Sequence, residues 1–92
     1  MIRVFIVDDH ALIRKGIRQI LEEQPDISLV GEASNGPEVL SRLPSLKADI
    51  ILLDISLPGM NGLELLDLLR KESPNICVLI LSMHPEEQMI LN

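Results

Sequence analysis

Polar side chains follow three apolar runs of the sequence, and together they could carry out phosphoryl or metal chemistry. Asp8 and Asp9 follow the first run, Asp54 follows the run at 49–53, and Ser82 follows the run at 76–81. Carboxylates brought together repel one another unless a cation lies between them, and their oxygens suit Mg²⁺ or Mn²⁺. A carboxylate beside such a cation can attack a phosphoryl group, and a hydroxyl can donate a hydrogen bond to a phosphoryl oxygen.

The pattern of the rest of the chain predicts the elements that would bring these residues together. Short β-branched or aliphatic runs alternate with helix-like stretches whose apolar residues recur every three or four positions. This alternation predicts an α/β fold with a parallel sheet and helices on both faces. The strands are predicted at 2–7, 27–33, 49–53 and 76–81, and the helices at 11–23, 36–43, 61–72 and from 84 onward. In a doubly wound sheet the carboxyl ends of strands one, three and four meet in one crevice, where ligands bind.

Each candidate residue also has a purely structural interpretation. An aspartate such as Asp9 after a strand can serve as a turn residue or a helix cap, and Asp54 can begin the loop rich in proline and glycine at 57–62. Ser82 can simply end a strand. His10 and His84 are more typical of surface or capping histidines than of metal ligands. The prediction of a site therefore depends on the joint placement of these residues at three strand ends.

Composition limits the classes of function. The 92 residues carry a formal net charge of −6 and include one Phe but no Tyr or Trp. One small domain with an aliphatic core fits this composition, and the negative charge disfavours binding to a nucleic-acid backbone. Cys77 lies in an apolar run, so we expect a buried thiol in a reducing compartment. No apolar run approaches the roughly 20 residues of a membrane span, and no signal peptide is evident at the start, so we expect a cytoplasmic location.

Three sequence blocks carry a resemblance to a known family. They are Val-Asp-Asp-His at 7–10, Leu-Asp-Ile-Ser-Leu-Pro-Gly-Met-Asn-Gly at 53–62 and Leu-Ser-Met-His at 81–84. In type and spacing they resemble the motifs of response regulator receiver domains of two-component systems. The Ile-Arg-Lys-Gly segment at 13–16 is similar to the NarL/FixJ (LuxR-type) branch, whose members usually carry a helix-turn-helix DNA-binding domain. The resemblance implies a flavodoxin-like (CheY-like) doubly wound sheet with strand order 2-1-3-4-5.

The resemblance also implies a role for each site residue. Asp54 would be the phosphoacceptor and a ligand of Mg²⁺, with Mn²⁺ as a substitute. Asp9 would bind the metal directly, Asp8 through water, and Ser56 through its backbone carbonyl. Ser82 would be the hydroxyl that moves toward the phosphoryl group and switches the domain.

A sensor histidine kinase is the partner that the resemblance implies, and it would dock mainly on the first helix around 13–17. The sequence departs from the family because no Lys or Arg follows Lys71. We therefore expect residues 1–92 to be a receiver truncated before its fifth strand and fifth helix, without the phosphate-contacting lysine of that strand. The parent protein would be a transcriptional regulator that binds DNA only through an output domain absent from this sequence. An unpaired apolar strand at 76–81 predicts self-association.

Two other functions are compatible with an acidic crevice. One is a Mg²⁺-dependent phosphatase that forms an aspartyl phosphate, but such enzymes place two aspartates in an Asp-x-Asp pattern. Here Asp8 and Asp9 are adjacent, and Ser56 stands two residues after Asp54. The other is an interaction or dimerisation module that is never phosphorylated. The favoured interpretation is a signalling receiver rather than a conventional enzyme.

Overall fold

The computed structural model describes residues 1–54 and 62–81, and strands and helices alternate along the chain as the sequence predicts. The predicted boundaries differ from the observed ones only at end residues. The fourth helix expected from His84 onward lies outside the described residues. The observed elements are β1 (Ile2–Val7), α1 (Ala11–Glu22), β2 (Ile27–Ala33), α2 (Gly36–Arg42), a 3₁₀ turn (Leu43–Ser45), β3 (Ile50–Asp54), α3 (Gly62–Glu72) and β4 (Cys77–Leu81).

The four strands form a parallel sheet in the order β2-β1-β3-β4, which confirms the predicted topology. Val7 at the end of β1 pairs with Ala33 of β2 and with Leu53 of β3. The next residues along the chain, Asp8 and Asp54, therefore leave neighbouring strands at the same level. This register explains how two aspartates 46 positions apart reach one edge of the sheet.

The core is aliphatic apart from Phe5. Phe5 and Val7 of β1 and Ile51 and Leu53 of β3 are buried in one cluster with side chains of α2 and α3. Val4 and Ile6 alternate with them along β1, so they point to the opposite face, and they are also buried. Burial of β1 on both faces is what its continuous apolar run predicts.

The start of α2 shows why the chain turns into a helix there. Asn35 is the N-cap, and its Oδ1 accepts the backbone N–H of Glu38 at 2.8 Å. The Glu38 carboxylate in turn accepts the backbone N–H and the hydroxyl of Ser34, both at 3.2 Å. These bonds satisfy N–H groups that a helix start leaves without an internal partner.

Helix α1 buries most of the face that its apolar pattern predicts. The apolar residues that recur at helical spacing are Ile13, Ile17, Ile20 and Leu21, and all but Ile20, which is 62% exposed, are half-buried. Arg14 and Arg18 also turn toward β2, where they form ion pairs with the Glu32 carboxylate. Apolar periodicity alone could not predict that two arginines occupy the packing face.

Strand β4 is the outer strand of the sheet in the ranges that the structure describes. Leu79 is 48% exposed and Ile80 is 43% exposed, in agreement with the expected apolar edge. The expectation of a buried Cys77 is wrong, because this residue is exposed. The apolar run around it resembles a buried strand, but only half of a run at the sheet edge is covered by neighbouring elements.

An ion pair joins the starts of β1 and β3 at the other end of the sheet. The Arg3 guanidinium lies 3.2 Å from the Asp49 carboxylate, which also accepts the backbone N–H of Arg3 at 2.8 Å. These hydrogen bonds lower the pKa of Asp49 and raise the pKa of Arg3. Because the pKa of Asp49 is depressed in the folded chain, the pair stabilises the fold above the usual Asp pKa. That contribution is lost as the pH falls through the depressed value.

Candidate functional site

Two buried carboxylates define the carboxyl edge of the sheet. Asp8 follows β1 and Asp54 ends β3, and both side chains are fully buried, with 0% exposure. Burying a charged carboxylate is costly unless hydrogen bonds or a cation compensate for the lost hydration. Their burial argues against the interpretation of Asp54 as a mere loop-initiating residue, because a turn aspartate does not need to be enclosed.

The Asp8 side chain is held on one side only. Its Oδ1 accepts the backbone N–H of His10 at 2.7 Å and lies 3.1 Å from the His10 Nδ1 atom. Its other oxygen, Oδ2, is buried and has no hydrogen-bond partner among the described residues. An acceptor of this kind is what a bound cation or a cation-bound water would satisfy.

Asp9 and His10 form the outer side of the same cluster. The Asp9 side chain is 29% exposed, and its Oδ1 lies 3.0 Å from the His10 Nδ1 atom. One potential ligand atom from each of Asp8, Asp9, His10 and Asp54 lies within 4.8 Å of all the others. The cluster therefore has two buried carboxylates, those of Asp8 and Asp54, and a side formed by Asp9 and His10 that solvent can reach.

The donor set of this cluster fits a hard divalent cation. Carboxylate oxygens are the ligands that Mg²⁺ and Mn²⁺ prefer, and the Asp8 Oδ2 atom offers a buried acceptor that no group within 1–54 and 62–81 uses. At 4.8 Å, the largest separation in the cluster, and an effective dielectric constant near 20, two like unit charges repel by about 3.5 kcal/mol. A cation between the carboxylates would remove that repulsion.

The structure brings together three of the five predicted site residues, namely Asp8, Asp9 and Asp54. Ser56 and Ser82 lie outside the described residues, so their roles stay predictions. His10 occupies the N-cap position of α1 without a side-chain capping bond, and its ring instead reaches the carboxylates. His10 is therefore an exposed residue at a helix cap position, as the sequence predicts, and its ring nitrogen is also close enough to the carboxylates to be a further potential ligand.

A cavity lies away from the carboxylates. It has a volume of about 580 Å³, and Arg3, Phe5 and Arg42 contribute to its lining. Both arginines already have an acidic partner, because Arg3 pairs with Asp49 and Arg42 pairs with Glu38. This cavity contains none of the predicted site residues, so the acidic cluster is the better candidate for a functional site.

Comparison with known proteins shows which family has this arrangement. The sequence profile of the response regulator receiver domain matches residues 4–92. The chain belongs to this family. The receiver is 42% identical over 88 residues to the nitrate/nitrite response regulator protein NarL of Escherichia coli, a match that includes 96% of the receiver and 41% of NarL. It is also 38% identical over 86 residues to a protein-glutamate methylesterase/protein-glutamine glutaminase of Thermotoga maritima, covering 94% of the receiver and 25% of that protein.

A solved structure supports the same assignment. The receiver superimposes with a TM-score of 0.85 on RcsB of Salmonella enterica serovar Typhimurium, bound to promoter P1flhDC in the presence of the phosphomimetic BeF₃⁻. The two are 30% identical, and the match covers 90% of the receiver and 43% of the RcsB chain. The similarities to NarL and RcsB place the receiver in the NarL/FixJ branch.

The receiver spans 41% of the length of NarL and 25% of the length of the methylesterase. A transcriptional regulator and an enzyme can therefore both contain a receiver similar to this one, and the receiver alone does not define the output. None of the helices in the ranges 1–54 and 62–81 has the length and apolarity required to span a lipid bilayer.

Proposed function

We propose that this receiver accepts a phosphoryl group on Asp54 in the presence of Mg²⁺. The observation that carries the proposal is the position of the buried Asp54 carboxylate in a cluster with Asp8 and Asp9 at the carboxyl ends of β1 and β3. The donor is a sensor histidine kinase of a two-component system, and small acyl phosphates can replace it. The receiver is a signalling component rather than a conventional enzyme.

The chemical step is a displacement at phosphorus. A carboxylate oxygen of Asp54 attacks the phosphorus atom of the donor, and an O–P bond forms as the bond from phosphorus to the leaving group breaks. The leaving group, an imidazole or a carboxylate, departs with the electron pair of that bond. The products are an aspartyl phosphate on the receiver and the dephosphorylated donor.

The proposed metal ligands are Asp9, Asp54 and the backbone carbonyl of Ser56, with Asp8 acting through a bound water. Mg²⁺, or Mn²⁺ in its place, supplies positive charge that offsets the charge on the phosphoryl oxygens. Ser82 is proposed to donate its hydroxyl to one of those oxygens once the aspartyl phosphate exists. Ser56 and Ser82 lie outside the part of the chain that the structure describes.

The proposed partners follow from the surface and from the family. The kinase docks on α1 around 13–17, where the neighbouring Leu12 is 79% exposed. DNA is reached through an output domain of a longer regulator, as the promoter-bound RcsB relative suggests, and residues 1–92 act as its cytoplasmic receiver domain. The exposed apolar residues of β4 favour self-association.

A phosphorylation assay tests the proposal. The chain is incubated with a small acyl phosphate, once with Mg²⁺ and once with a chelator, and its intact mass is measured. We expect the mass of one phosphoryl group to be added only with Mg²⁺, and to be lost again under alkaline conditions that hydrolyse acyl phosphates. An unchanged mass in Mg²⁺, or an equal gain with the chelator, would contradict the proposal.

Replacing Asp8 by asparagine should raise the stability of the metal-free chain and remove most of the stabilisation by Mg²⁺. The substitution removes one buried negative charge, and the NH₂ group of asparagine can take the place of Oδ2. We therefore expect the unfolding free energy of the metal-free chain to rise by about 1 kcal/mol. At a Mg²⁺ concentration ten times its dissociation constant, the wild-type chain should gain about 1.4 kcal/mol from binding, whereas the variant should gain almost nothing. Urea unfolding with and without Mg²⁺ measures both effects.

The matched control for this prediction is Asp67→Asn, which removes the same charge from an exposed position of α3. It should leave the Mg²⁺-dependent gain at the wild-type value. An Asp8→Asn chain that is less stable without metal, or that responds fully to Mg²⁺, would show that Asp8 is a structural residue.

A further inference from the structure

Arg14 links helix α1 to the turn that carries the acidic cluster. Its Nη1 atom donates a hydrogen bond to the backbone carbonyl of Asp8. Its own backbone N–H donates to the carbonyl of His10 at 3.0 Å. The first contact holds the peptide group that joins Asp8 to Asp9, and it depends on the arginine side chain. The second is a backbone bond of the first turn of α1 and does not depend on that side chain.

The turn that carries the cluster is held by several contacts. Residues 8–10 lie between the end of β1 and the start of α1, outside both regular elements. The Asp8 backbone N–H is bound to the carbonyl of Ala33 at 3.1 Å, and the His10 backbone N–H is bound to Asp8 Oδ1 at 2.7 Å. The partly exposed Asp9 carboxylate lies 3.0 Å from the His10 Nδ1 atom. Arg14 adds the contact with the Asp8 carbonyl, which belongs to the peptide group directly before Asp9.

Glu32 in β2 fixes the guanidinium that makes this contact. The Arg14 Nε atom lies 3.3 Å from Glu32 Oε1, and the Arg18 Nη1 atom lies 2.7 Å from Glu32 Oε2. The Arg14 and Glu32 side chains are only 20% and 24% exposed. Because one Glu32 carboxylate pairs with two arginines, it orients the Arg14 guanidinium without fully neutralising its charge.

We propose that Arg14 is a positioning residue of the phosphoryl-accepting site: clamped by Glu32, it holds the Asp8–His10 turn in the conformation that binds the divalent cation. This inference rests on the proposed function, since it assumes that the cluster binds Mg²⁺. Arg14 touches neither the cation nor the phosphoryl group and acts only through the backbone carbonyl of Asp8.

The test compares Arg14→Gln with Arg18→Gln in the full chain. Both variants lose one positive charge and one partner of Glu32, but only the first loses the contact with the Asp8 carbonyl. We expect Arg14→Gln to weaken Mg²⁺ binding roughly tenfold, the scale of residues that orient metal ligands. Arg18→Gln should bind Mg²⁺ with the wild-type affinity. Titration calorimetry gives the affinities, and urea unfolding gives the stability of each variant.

The stability measurement separates positioning from general packing. A merely structural role would lower the stability of both variants without a selective loss of Mg²⁺ affinity. If Arg14→Gln does not fold, Arg14→Lys takes its place. Lysine keeps the positive charge, but it lacks the planar guanidinium that binds the Asp8 carbonyl and Glu32 at the same time. Arg14→Lys should then also bind Mg²⁺ more weakly than Arg18→Gln.

Equal Mg²⁺ affinities in the Arg14 and Arg18 variants would overturn the positioning role. That result is distinct from failure of the proposed function, which would appear in the wild-type chain as no Mg²⁺ binding and no phosphoryl uptake. A wild-type chain that binds Mg²⁺ and is phosphorylated, together with an Arg14 variant that does both equally well, would leave the proposed function intact and reject only this inference.

Discussion

Replacing Asp54 by asparagine is expected to abolish phosphoryl uptake while the chain remains folded. The amide is close to the carboxylate in size, so the buried end of β3 keeps its shape. The amide is a far weaker nucleophile than a carboxylate and cannot form an acyl phosphate at this position. We therefore expect no added mass after treatment with an acyl phosphate and Mg²⁺, under conditions in which the wild-type chain is labelled.

Asp49→Asn is the matched control for this prediction. Asp49 directly precedes the strand that Asp54 ends, and it is an exposed carboxylate paired with Arg3. The control loses an aspartate from the same segment and some stability from the broken ion pair, but it should be phosphorylated like the wild type. Full labelling of Asp54→Asn, or loss of labelling in folded Asp49→Asn, would contradict the assignment of Asp54 as acceptor.

Replacing Gly31 by alanine is expected to lower the unfolding free energy by about 1–3 kcal/mol. Gly31 pairs with Phe5 across β1 and β2, and a Cβ atom at this position would lie 2.8 Å from Phe5 Cε2 and 3.1 Å from Phe5 Cδ2. Phe5 is only 1% exposed, so its ring can move only by disturbing the core. Equilibrium unfolding in urea measures the loss.

Gly16→Ala provides a control with the same chemical change and the opposite expected sign. Gly16 lies inside α1, and a Cβ atom there would meet nothing within 4 Å. Alanine is favoured over glycine in a helix interior, so we expect the unfolding free energy to rise by roughly 0.5–1 kcal/mol. If both substitutions changed the unfolding free energy in the same direction, the close contact of Gly31 with Phe5 would not be what disfavours a side chain at position 31.

The sequence predicts the framework of the site well because that framework follows from local patterns. Runs of β-branched and aliphatic residues mark the strands, and the alternation with helices implies a parallel sheet. Once β1 and β3 are neighbours, the position of an aspartate after each strand places Asp8 and Asp54 together. The predicted topology is confirmed, and the sequence blocks also indicated the family that the comparisons establish.

What the sequence could not predict depends on side chains that meet through the tertiary fold. Periodicity places Ile20 with the packing residues of α1, but Ile20 is exposed, and it does not predict that Arg14 and Arg18 form ion pairs with Glu32 of β2. The prediction of a buried Cys77 was wrong because it followed the apolar run alone and did not use the edge position that was expected for the same strand. The contact of Arg14 with the Asp8 carbonyl involves a backbone acceptor, which no pattern of side chains encodes.

The most direct test of the central claim is to determine which residue carries the phosphoryl group. The wild-type chain is treated with an acyl phosphate and Mg²⁺ and then reduced with borohydride, which converts a phosphorylated aspartate to homoserine. Tandem mass spectrometry of the peptides then locates the change. We expect homoserine at position 54 and unmodified aspartate at positions 8 and 9. Modification at Asp8 or Asp9, or no modified residue at all, would contradict it.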